Sequence, residues 1–309
     1  MTKYIVKRLL VGVLSLFVLV SAAFFLTRLM PGSPFSGGNV PDSVMQAMEE
    51  EYGLNEPMPV QYKTYMLHLL HGDFGVSYKK PGVSVGEVIQ RAWPATASLG
   101  GMAILCAVIL GTLAGIWQAV TKSRVVKGGL FLGTILGTGI PNFVIALLLL
   151  LVFGVKFKIF PVAGLIGWKN YVLPVISLAI YPTAVVARLM HNTFCTEMKQ
   201  NYVIMARAKG LKWRQTVFSH ILKNAWIPVL NYVGPAAAFL MTGSFVVESI
   251  FTIPGLGREF VNSIANRDYT LILGLTVFMG AVVIVINLAV DLICAGLDPR
   301  IKKAGMEQR

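Results

Sequence analysis

Six apolar segments, each about long enough to cross a bilayer, divide this chain of 309 residues. A helix rises 1.5 Å per residue, so about 20 apolar residues span a hydrocarbon layer of roughly 30 Å. The composition agrees, because 55% of the residues are hydrophobic, only 13% are charged and the mean hydropathy is +0.69. The sequence therefore predicts an all-α integral membrane protein with six transmembrane helices. The predicted spans run from about Leu9 to Leu29, Ala95 to Val120, Gly129 to Val155, Tyr171 to Met190, Ile227 to Val247 and Leu271 to Ala295.

The first apolar segment has a second interpretation, as a cleaved secretory signal. Basic residues precede it, and the small residues 21–23 resemble a cleavage site. The apolar run continues to Pro31, however, and is too long for the apolar region of a signal. We therefore expect residues 1–30 to form a short N-terminal tail and an uncleaved first membrane helix.

Lysine and arginine are unevenly divided among the connecting segments. If the amino terminus lies inside the cell, every inner segment is net basic, whereas the outer segment 31–94 is net acidic. The positive-inside rule therefore predicts that both termini are cytoplasmic. On this topology a core of five helices occupies 95–295, its loop 193–226 faces the cytoplasm, and 296–309 is a cytoplasmic tail.

The outer segment is too long for a plain loop, and its pattern predicts a small helical cap. Asp42 or Ser43 suits the N-cap of a short helix that Gly53 can end. A second helix, after Pro59, has an apolar stripe made of Tyr62, Tyr65, Met66 and Leu69. The cap either packs over the first span or forms a docking surface for an extracellular partner.

Several kinds of site lack the residues that they need. The net charge of +13 comes from short basic clusters beside apolar segments, which is typical of topology signals and not of a nucleic-acid-binding surface. The three cysteines have no metal-type spacing among themselves, and the four histidines form no pair with helical i, i+4 spacing, so no metal site is predicted. The sequence contains no G-x-x-x-x-G-K-[ST] phosphate-binding motif, so any ATP is expected on another subunit. Arg188 and Asp291 fall near predicted cytoplasmic helix ends, where an ion-relay role is not expected.

A polar and strongly basic stretch, ARAKGLKWRQTVFSH, follows the fourth span and reads as helix, break and helix around Gly210. Ala206, Ala208 and Gly210 carry almost no side chain, so another protein could approach the backbone closely there. Arg207 and Lys209 flank them as charged anchors. The expected apolar contacts are Val203, Leu211, Val217, Phe218 and Leu222. The stretch either docks in a groove on a cytoplasmic protein or lies as a solvated loop against anionic lipid.

Small residues and prolines interrupt the spans. The pairs Gly111-x-x-x-Gly115 and Gly133-x-x-x-Gly137 permit close contacts between membrane helices. The candidate kinks are Pro141, Pro174, Pro182, Gly234 and Pro235. Kinks of this kind suit spans that change conformation, and ordinary packing explains them equally well.

The longer stretch YVIMARAKGLKWRQTVFSHILKNAWIPVL resembles the cytoplasmic EAA loop of binding-protein-dependent ABC importer permeases of the peptide and nickel group. Further motifs occur in the family's order: RLMPGSPF, EYGLNEPMPVQY, HGDFGVSY, MTGSFVVESIFTIPGLGREF and NRDYTLILGLTVF. Within the group, PGSPF, TGSFVVE and DPRIK are most similar to the B-type permease subunit of oligopeptide importers. The Glu-Ala-Ala that names the loop is absent, since 204–210 read IMARAKG, so a role of that glutamate has no position here.

This resemblance implies a type I ABC importer permease fold and a subunit without catalytic activity or cofactor. The implied partners are a homologous second permease, two ATPase subunits that bind ATP and magnesium, and an extracellular or periplasmic peptide-binding protein, all at a bacterial cell membrane. The coupling helix that fits a groove on the ATPase would include Tyr202, Ala206, Arg207, Ala208, Lys209, Gly210 and Leu211. The candidates for gating the outer mouth or contacting the binding protein are Glu248, Phe251, Pro254, Gly255 and Gly257.

The resemblance favours oligopeptides as cargo and leaves dipeptides, nickel, glutathione and cell-wall peptides open. Two other classes also stay open, an ion-coupled secondary transporter and a scaffold protein without transport. A path that passes varied side chains should depend on its width and on contacts to the peptide backbone, so no concentrated binding site is expected. Glu248 either points toward this path or caps a helix end.

Overall fold

The computed structural model describes residues 2–30, 35, 46, 48–50 and 53–297. Its helices are α1 (Thr2–Leu29), α2 (Met58–Leu70), α3 (Val85–Val120), α4 (Arg124–Gly139), α5 (Asn142–Leu149), α6 (Trp168–Glu197), α7 (Asn201–Ala208), α8 (Trp213–Thr216), α9 (Leu222–Thr242), α10 (Phe245–Ile250), α11 (Leu256–Ala265) and α12 (Tyr269–Leu297). The π-helical segments Leu150–Lys156 and Val217–Ile221 continue α5 and join α8 to α9. The N-cap expected at Asp42 or Ser43 lies outside the described residues.

Five helical stretches in the described part are long and apolar enough to cross a membrane: α1, α3, α6, the run from α8 to α9, and α12. The third predicted span is different, because α4 and α5 meet at a bend of 103°. Pro141 lies at this break as the residue before α5, where its ring fixes the backbone. The predicted number of six spans is confirmed when the bent pair is counted as one.

Two helix ends differ from the predicted span limits for a local backbone reason. Helix α3 begins at Val85, before the predicted span, because the Ser84 side chain accepts a hydrogen bond from the Glu87 N–H and caps the helix there. Glu87, Gln90 and Arg91 lower the hydropathy of this part of the helix, so it was not counted in the span. The expected cap segment 31–94 therefore includes the start of α3. The fifth span ends at Thr242 and does not reach Val247, since the chain turns at Gly243 with φ +110°.

The most extensive helix packing is between α3 and α6. A side-chain carbon added at Gly111 would lie 2.7 Å from Val186, and one at Gly115 would lie 2.5 Å from the Ala187 carbonyl oxygen. This pair of glycines therefore permits the close approach that was predicted. The second pair does so only in part, because Gly133 faces open space.

The cap helix α2 lies against the end of α1. The Tyr62 hydroxyl is 2.7 Å from the Ser21 hydroxyl, and the Phe24 ring packs against Tyr62 and Tyr65 with centroids 5.3 and 5.8 Å apart. The predicted apolar stripe is the less exposed face of α2. These contacts support the interpretation in which the cap packs over the first span.

At the opposite end of α1, Arg8 forms a 3.0 Å ion pair with Asp291 of α12. This pair accounts for the acidic residue near the end of the last span. The other charged residue noted near a helix end, Arg188, is exposed on α6.

Asp268 is a buried residue that connects two distant parts of the chain, and the sequence did not indicate this role. It caps α12 by accepting the Leu271 N–H at 3.2 Å, and it also accepts the Tyr78 N–H at 3.1 Å and the Ser77 hydroxyl. Its side chain is 1% exposed. One carboxylate therefore ties the turn after α2 to the start of the last span.

Candidate functional site

The predicted break in the polar loop lies where α7 ends. The Gly210 N–H donates to the Arg207 carbonyl at 3.0 Å, and the Leu211 N–H donates to the Ala206 carbonyl at 3.2 Å. These two bonds form a Schellman C-cap, which needs a residue with positive φ after the cap. Gly210 supplies φ +79°, so its identity is explained by the backbone of this chain alone.

The outer face of α7 presents apolar and basic side chains together. Ile204 is 62% exposed and Met205 is 61% exposed, and neither was named as a contact from the sequence. Arg207 lies 6.0 Å from the Trp213 ring centre, which holds the guanidinium against the start of α8. Exposed large apolar groups on a short helix are typical of a protein contact and less so of a solvated loop. Ala208, Lys209 and Gly210 are also exposed.

The inner face of α7 is buried against the rest of the chain, and this corrects part of the prediction. Ala206 is 7% exposed and Val203 is 3% exposed, because residues three apart share one face of a helix. Val217 is likewise buried. These three side chains pack within the chain and are not available to another protein in this structure. Ala208 and Gly210 remain as the small exposed residues.

Helix α7 is bonded to both neighbouring spans through Tyr202. Its hydroxyl donates to the Glu197 carboxylate at the end of α6 and accepts a 3.2 Å hydrogen bond from the Asn224 amide of α9. Burial and the hydrogen bond to Glu197 raise the pKa of Tyr202 to about 12, so the phenol stays protonated at neutral pH. A displacement of α7 would therefore act on α6 and α9.

The same connection is reinforced by an apolar cluster beneath α7. The cluster consists of Val186, Met190, Phe194, Val203, Val217, Ile221, Ala225 and Val229. Its members come from α6, α7, the π-helical segment Val217–Ile221, and α9. Because close-packed interiors transmit strain, the loop and the adjoining ends of both spans should move together.

The second candidate site surrounds Glu248 of α10, which is 2% exposed. Its carboxylate accepts the Thr96 hydroxyl at 2.9 Å and the Arg258 N–H at 2.8 Å, while the Thr96 oxygen accepts the Leu256 N–H at 2.8 Å. Glu248 therefore caps the first turn of α11, as one of its two interpretations expected. Burial raises the pKa of this carboxyl, and the hydrogen bonds from Arg258 and Thr96 act in the opposite direction.

Glycines allow the chain to close around this carboxylate. A side-chain carbon at Gly255 would lie 2.4 Å from the Glu248 carboxyl carbon, and one at Gly257 would lie 2.8 Å from the Phe245 nitrogen. At Gly243 the corresponding atom would be 2.9 Å from a Glu248 carboxyl oxygen. The three glycines, Glu248 and its hydrogen-bond partner Thr96 thus form one structural unit. We call it the Glu248 cluster; its residues are Thr96, Gly243, Glu248, Gly255 and Gly257.

Most of the predicted gate residues are buried within the chain. Glu248, Gly255 and Gly257 belong to the Glu248 cluster. Phe251 packs in a separate apolar core with Leu99. Among these five candidates only Pro254 is exposed. In this conformation a separate protein could contact Pro254 and could not reach the other four.

Residues 107–303 match the family described as the binding-protein-dependent transport system inner membrane component, and residues 1–100 match the corresponding N-terminal family. The chain is 39% identical over 305 residues to the oligopeptide transport system permease protein OppB of Salmonella typhimurium, covering 98% of this chain and 100% of that protein. It is 36% identical over 302 residues to the dipeptide transport system permease protein DppB of Lactococcus lactis, again covering 98% of this chain and 100% of the relative.

Among solved structures, the chain resembles the MetNI methionine ABC transporter in inward-facing conformations. The TM-score is 0.54 at 16% sequence identity, over 68% of this chain and 96% of that one. At this identity the likeness concerns the fold alone, and it confirms the predicted permease fold of a type I ABC importer. Together with the match over 107–303, these findings place the chain in a known group. It belongs to the family of binding-protein-dependent transport system inner membrane components.

Proposed function

We propose that this chain is the transmembrane permease subunit of an ATP-driven oligopeptide importer and forms half of its translocation path. The observation that carries the proposal is similarity over 98% of the chain to a protein named an oligopeptide transport system permease. A dipeptide cargo is the second candidate, because a dipeptide permease is similar over the same share of the chain. The chain itself is non-catalytic, and ATP and magnesium are bound by separate ATPase subunits.

The exposed face of α7 supports a docking site for one of those ATPases. Ile204 and Met205 would enter a groove, Ala208 and Gly210 would permit close approach, and Arg207 would remain as a charged contact. The hydrogen bonds of Tyr202 would then pass motion of the ATPase to α6 and α9. When ATP binding draws two ATPases together, the attached spans would rock and switch the path between inward and outward access.

The complete transporter would contain a homologous second permease, two ATPases and a peptide-binding protein outside the cell membrane. The distribution of lysine and arginine favours cytoplasmic termini and a cytoplasmic α7. On that topology the cap and the Glu248 cluster lie on the outer side, where Pro254 is available to the binding protein. The buried residues of the Glu248 cluster would stabilise the structure of the outer mouth without contacting the binding protein.

Copurification tests the assembly. The chain is extracted in mild detergent and its companions are identified by mass spectrometry, with peptides eluted from the retained binding protein. We expect two ATPases, a second permease and bound oligopeptides. Recovery of the chain without any ATPase, together with ion-driven uptake by this chain alone in vesicles, would replace the proposal by a secondary transporter.

Cysteine crosslinking tests the orientation of α7. We expect Ala208→Cys to form a crosslink to an ATPase subunit in membranes, because residue 208 is exposed. The matched control is Ala206→Cys, two residues away on the same helix, whose 7% exposure should prevent crosslinking. The unsubstituted chain gives the background from Cys106, Cys195 and Cys294. Equal capture at 206 and 208 would contradict this orientation.

A further inference from the structure

Three proline-associated irregularities of the membrane helices meet at one cavity of about 530 Å³. Pro141 lies at the break between α4 and α5, Pro182 lies inside α6, and Pro235 lies inside α9. All three line the cavity wall, as do Gly139 and Asn142 on either side of the break. The volume falls within the range of about 300–1,000 Å³ that is usual for ligand sites.

The break lies at membrane depth. Gly139 follows the last basic residue of its segment, Lys127, by twelve positions, which corresponds to about 18 Å of helix. Irregular backbone at this depth is tolerated only where protein covers it or where it lines a water-filled space. Gly139 and Pro141 are both exposed in the single chain, so this wall requires water, a ligand or another protein chain in place of lipid.

Backbone groups in this wall lack their usual helical partners. Because Pro182 has no N–H, the carbonyl of Leu178, which also lines the cavity, lacks the helical donor four residues on. The end of α4 and the start of α5 likewise leave terminal carbonyl and amide groups without helical partners at the break. The wall thus combines hydrogen-bond acceptors with donors.

Three polar side chains of the wall can likewise form hydrogen bonds with a ligand. Tyr181, Tyr232 and Asn142 line the cavity. Among the described residues, none of these three side chains has a hydrogen-bond partner. The remaining surface is largely apolar, with Phe239 and Leu240 among its residues. A few polar groups on an apolar wall can bind the repeating amides of a peptide while accepting varied side chains.

We propose that this cavity is an intramembrane subsite for the backbone of an extended peptide, with the Tyr181 and Tyr232 hydroxyls and the Asn142 amide as its polar contacts. The proposal rests on the proposed function and assigns part of its path to named residues of this chain. It revises the expectation that no concentrated site exists here. The second permease would close the open side of the cavity without filling it.

Substituted-cysteine accessibility in the assembled transporter tests whether the cavity holds water and peptide. We expect Asn142→Cys to react with a negatively charged methanethiosulfonate reagent, and an excess of trialanine with the binding protein to slow that reaction at least several-fold. The matched control is Ile135→Cys, an exposed position on α4 outside the cavity wall, which should not react from lipid. No reaction at 142 would mean that lipid or protein fills the space, and reaction without protection by trialanine would mean an aqueous space without peptide. Either result overturns the proposal.

Transport kinetics test the hydroxyls. Tyr181→Phe and Tyr232→Phe should each lower trialanine uptake by about three- to tenfold, as expected for one lost hydrogen bond. Tyr171→Phe, on the same helix as Tyr181 but outside this cavity, should leave uptake unchanged. Unchanged uptake in both cavity variants would overturn the proposed contacts. If the unsubstituted complex itself fails to import trialanine, the proposed function fails instead, and the thiol reactivities remain interpretable on their own.

Discussion

Gly255→Ala is expected to lower the yield of folded protein about tenfold or more, because the new methyl group would overlap the Glu248 carboxylate. The added carbon would lie 2.4 Å from the carboxyl carbon and 2.5 and 2.7 Å from its two oxygens. Overpacking of a well-packed interior costs about 1–3 kcal/mol. Displacement of the carboxylate would also weaken its bonds to Thr96 and Arg258. The measurement is the amount of monodisperse protein after detergent extraction, with its thermal unfolding midpoint.

Two controls separate this overlap from a general intolerance of alanine. Gly133→Ala adds the same methyl group in α4, where no atom of the described residues outside its two chain neighbours and the helix's own backbone lies within 4 Å, and should leave the yield unchanged. Glu248→Ala alone should be destabilising, because the Thr96 hydroxyl and the Arg258 N–H lose their acceptor at about 1–3 kcal/mol each. In the Glu248→Ala background, however, Gly255→Ala should add little further loss, because the three nearest atoms have been removed. Additive losses would show that Glu248 is not the source of the conflict.

Gly210→Phe is expected to abolish peptide uptake and peptide-stimulated ATP hydrolysis while the chain still inserts and assembles as a membrane protein. Among the described residues, and apart from the two chain neighbours of Gly210, no atom lies within 4 Å of a side-chain carbon placed there, so a large side chain would project outward. If the ATPase contacts the exposed end of α7 closely, the phenyl ring must hold the two proteins apart. Uptake and ATP hydrolysis are measured on the reconstituted complex, and the amount of bound ATPase is measured by copurification.

The matched control for this variant is Gly210→Ala. Any L-residue with a side chain is strained at φ +79°, at a cost of about 1–2 kcal/mol, but alanine adds almost no bulk. We therefore expect Gly210→Ala to retain substantial uptake and ATPase binding. Equal loss in both variants would assign the effect to the backbone of the Schellman cap and would remove the support for close docking at this position.

The sequence predicted the membrane class, the number of spans and the polar break at Gly210, because these features depend on local length, composition and backbone preference. It did not predict which face of α7 is exposed. Ala206 and Ala208 are equally small, but Ala206 lies on the buried face of α7 with Val203, which packs with residues of α6 and α9, whereas Ala208 is exposed. Ile204 and Met205 were overlooked for the same reason.

Long-range contacts account for the other features that sequence reasoning missed. Glu248 is bonded to Thr96, which is 152 positions away, and Asp268 is bonded to Ser77, which is 191 positions away. No spacing rule connects such residues, and a glycine that makes room for a distant carboxylate looks like any other loop glycine. The sequence indicates a candidate kink at Pro141. The size of the bend, 103°, depends on how the two helices pack against the rest of the chain, which the local sequence does not specify.

That bend has a consequence for how the protein is made. Helix α4 has 16 residues, and the following piece from Asn142 to Lys156 is about as short, whereas an autonomous membrane span needs about 20 residues. Neither piece is long enough to partition alone as it leaves the ribosome and enters the insertion machinery. Their stable placement during biogenesis should therefore wait until α6 has been synthesised and can pack against them.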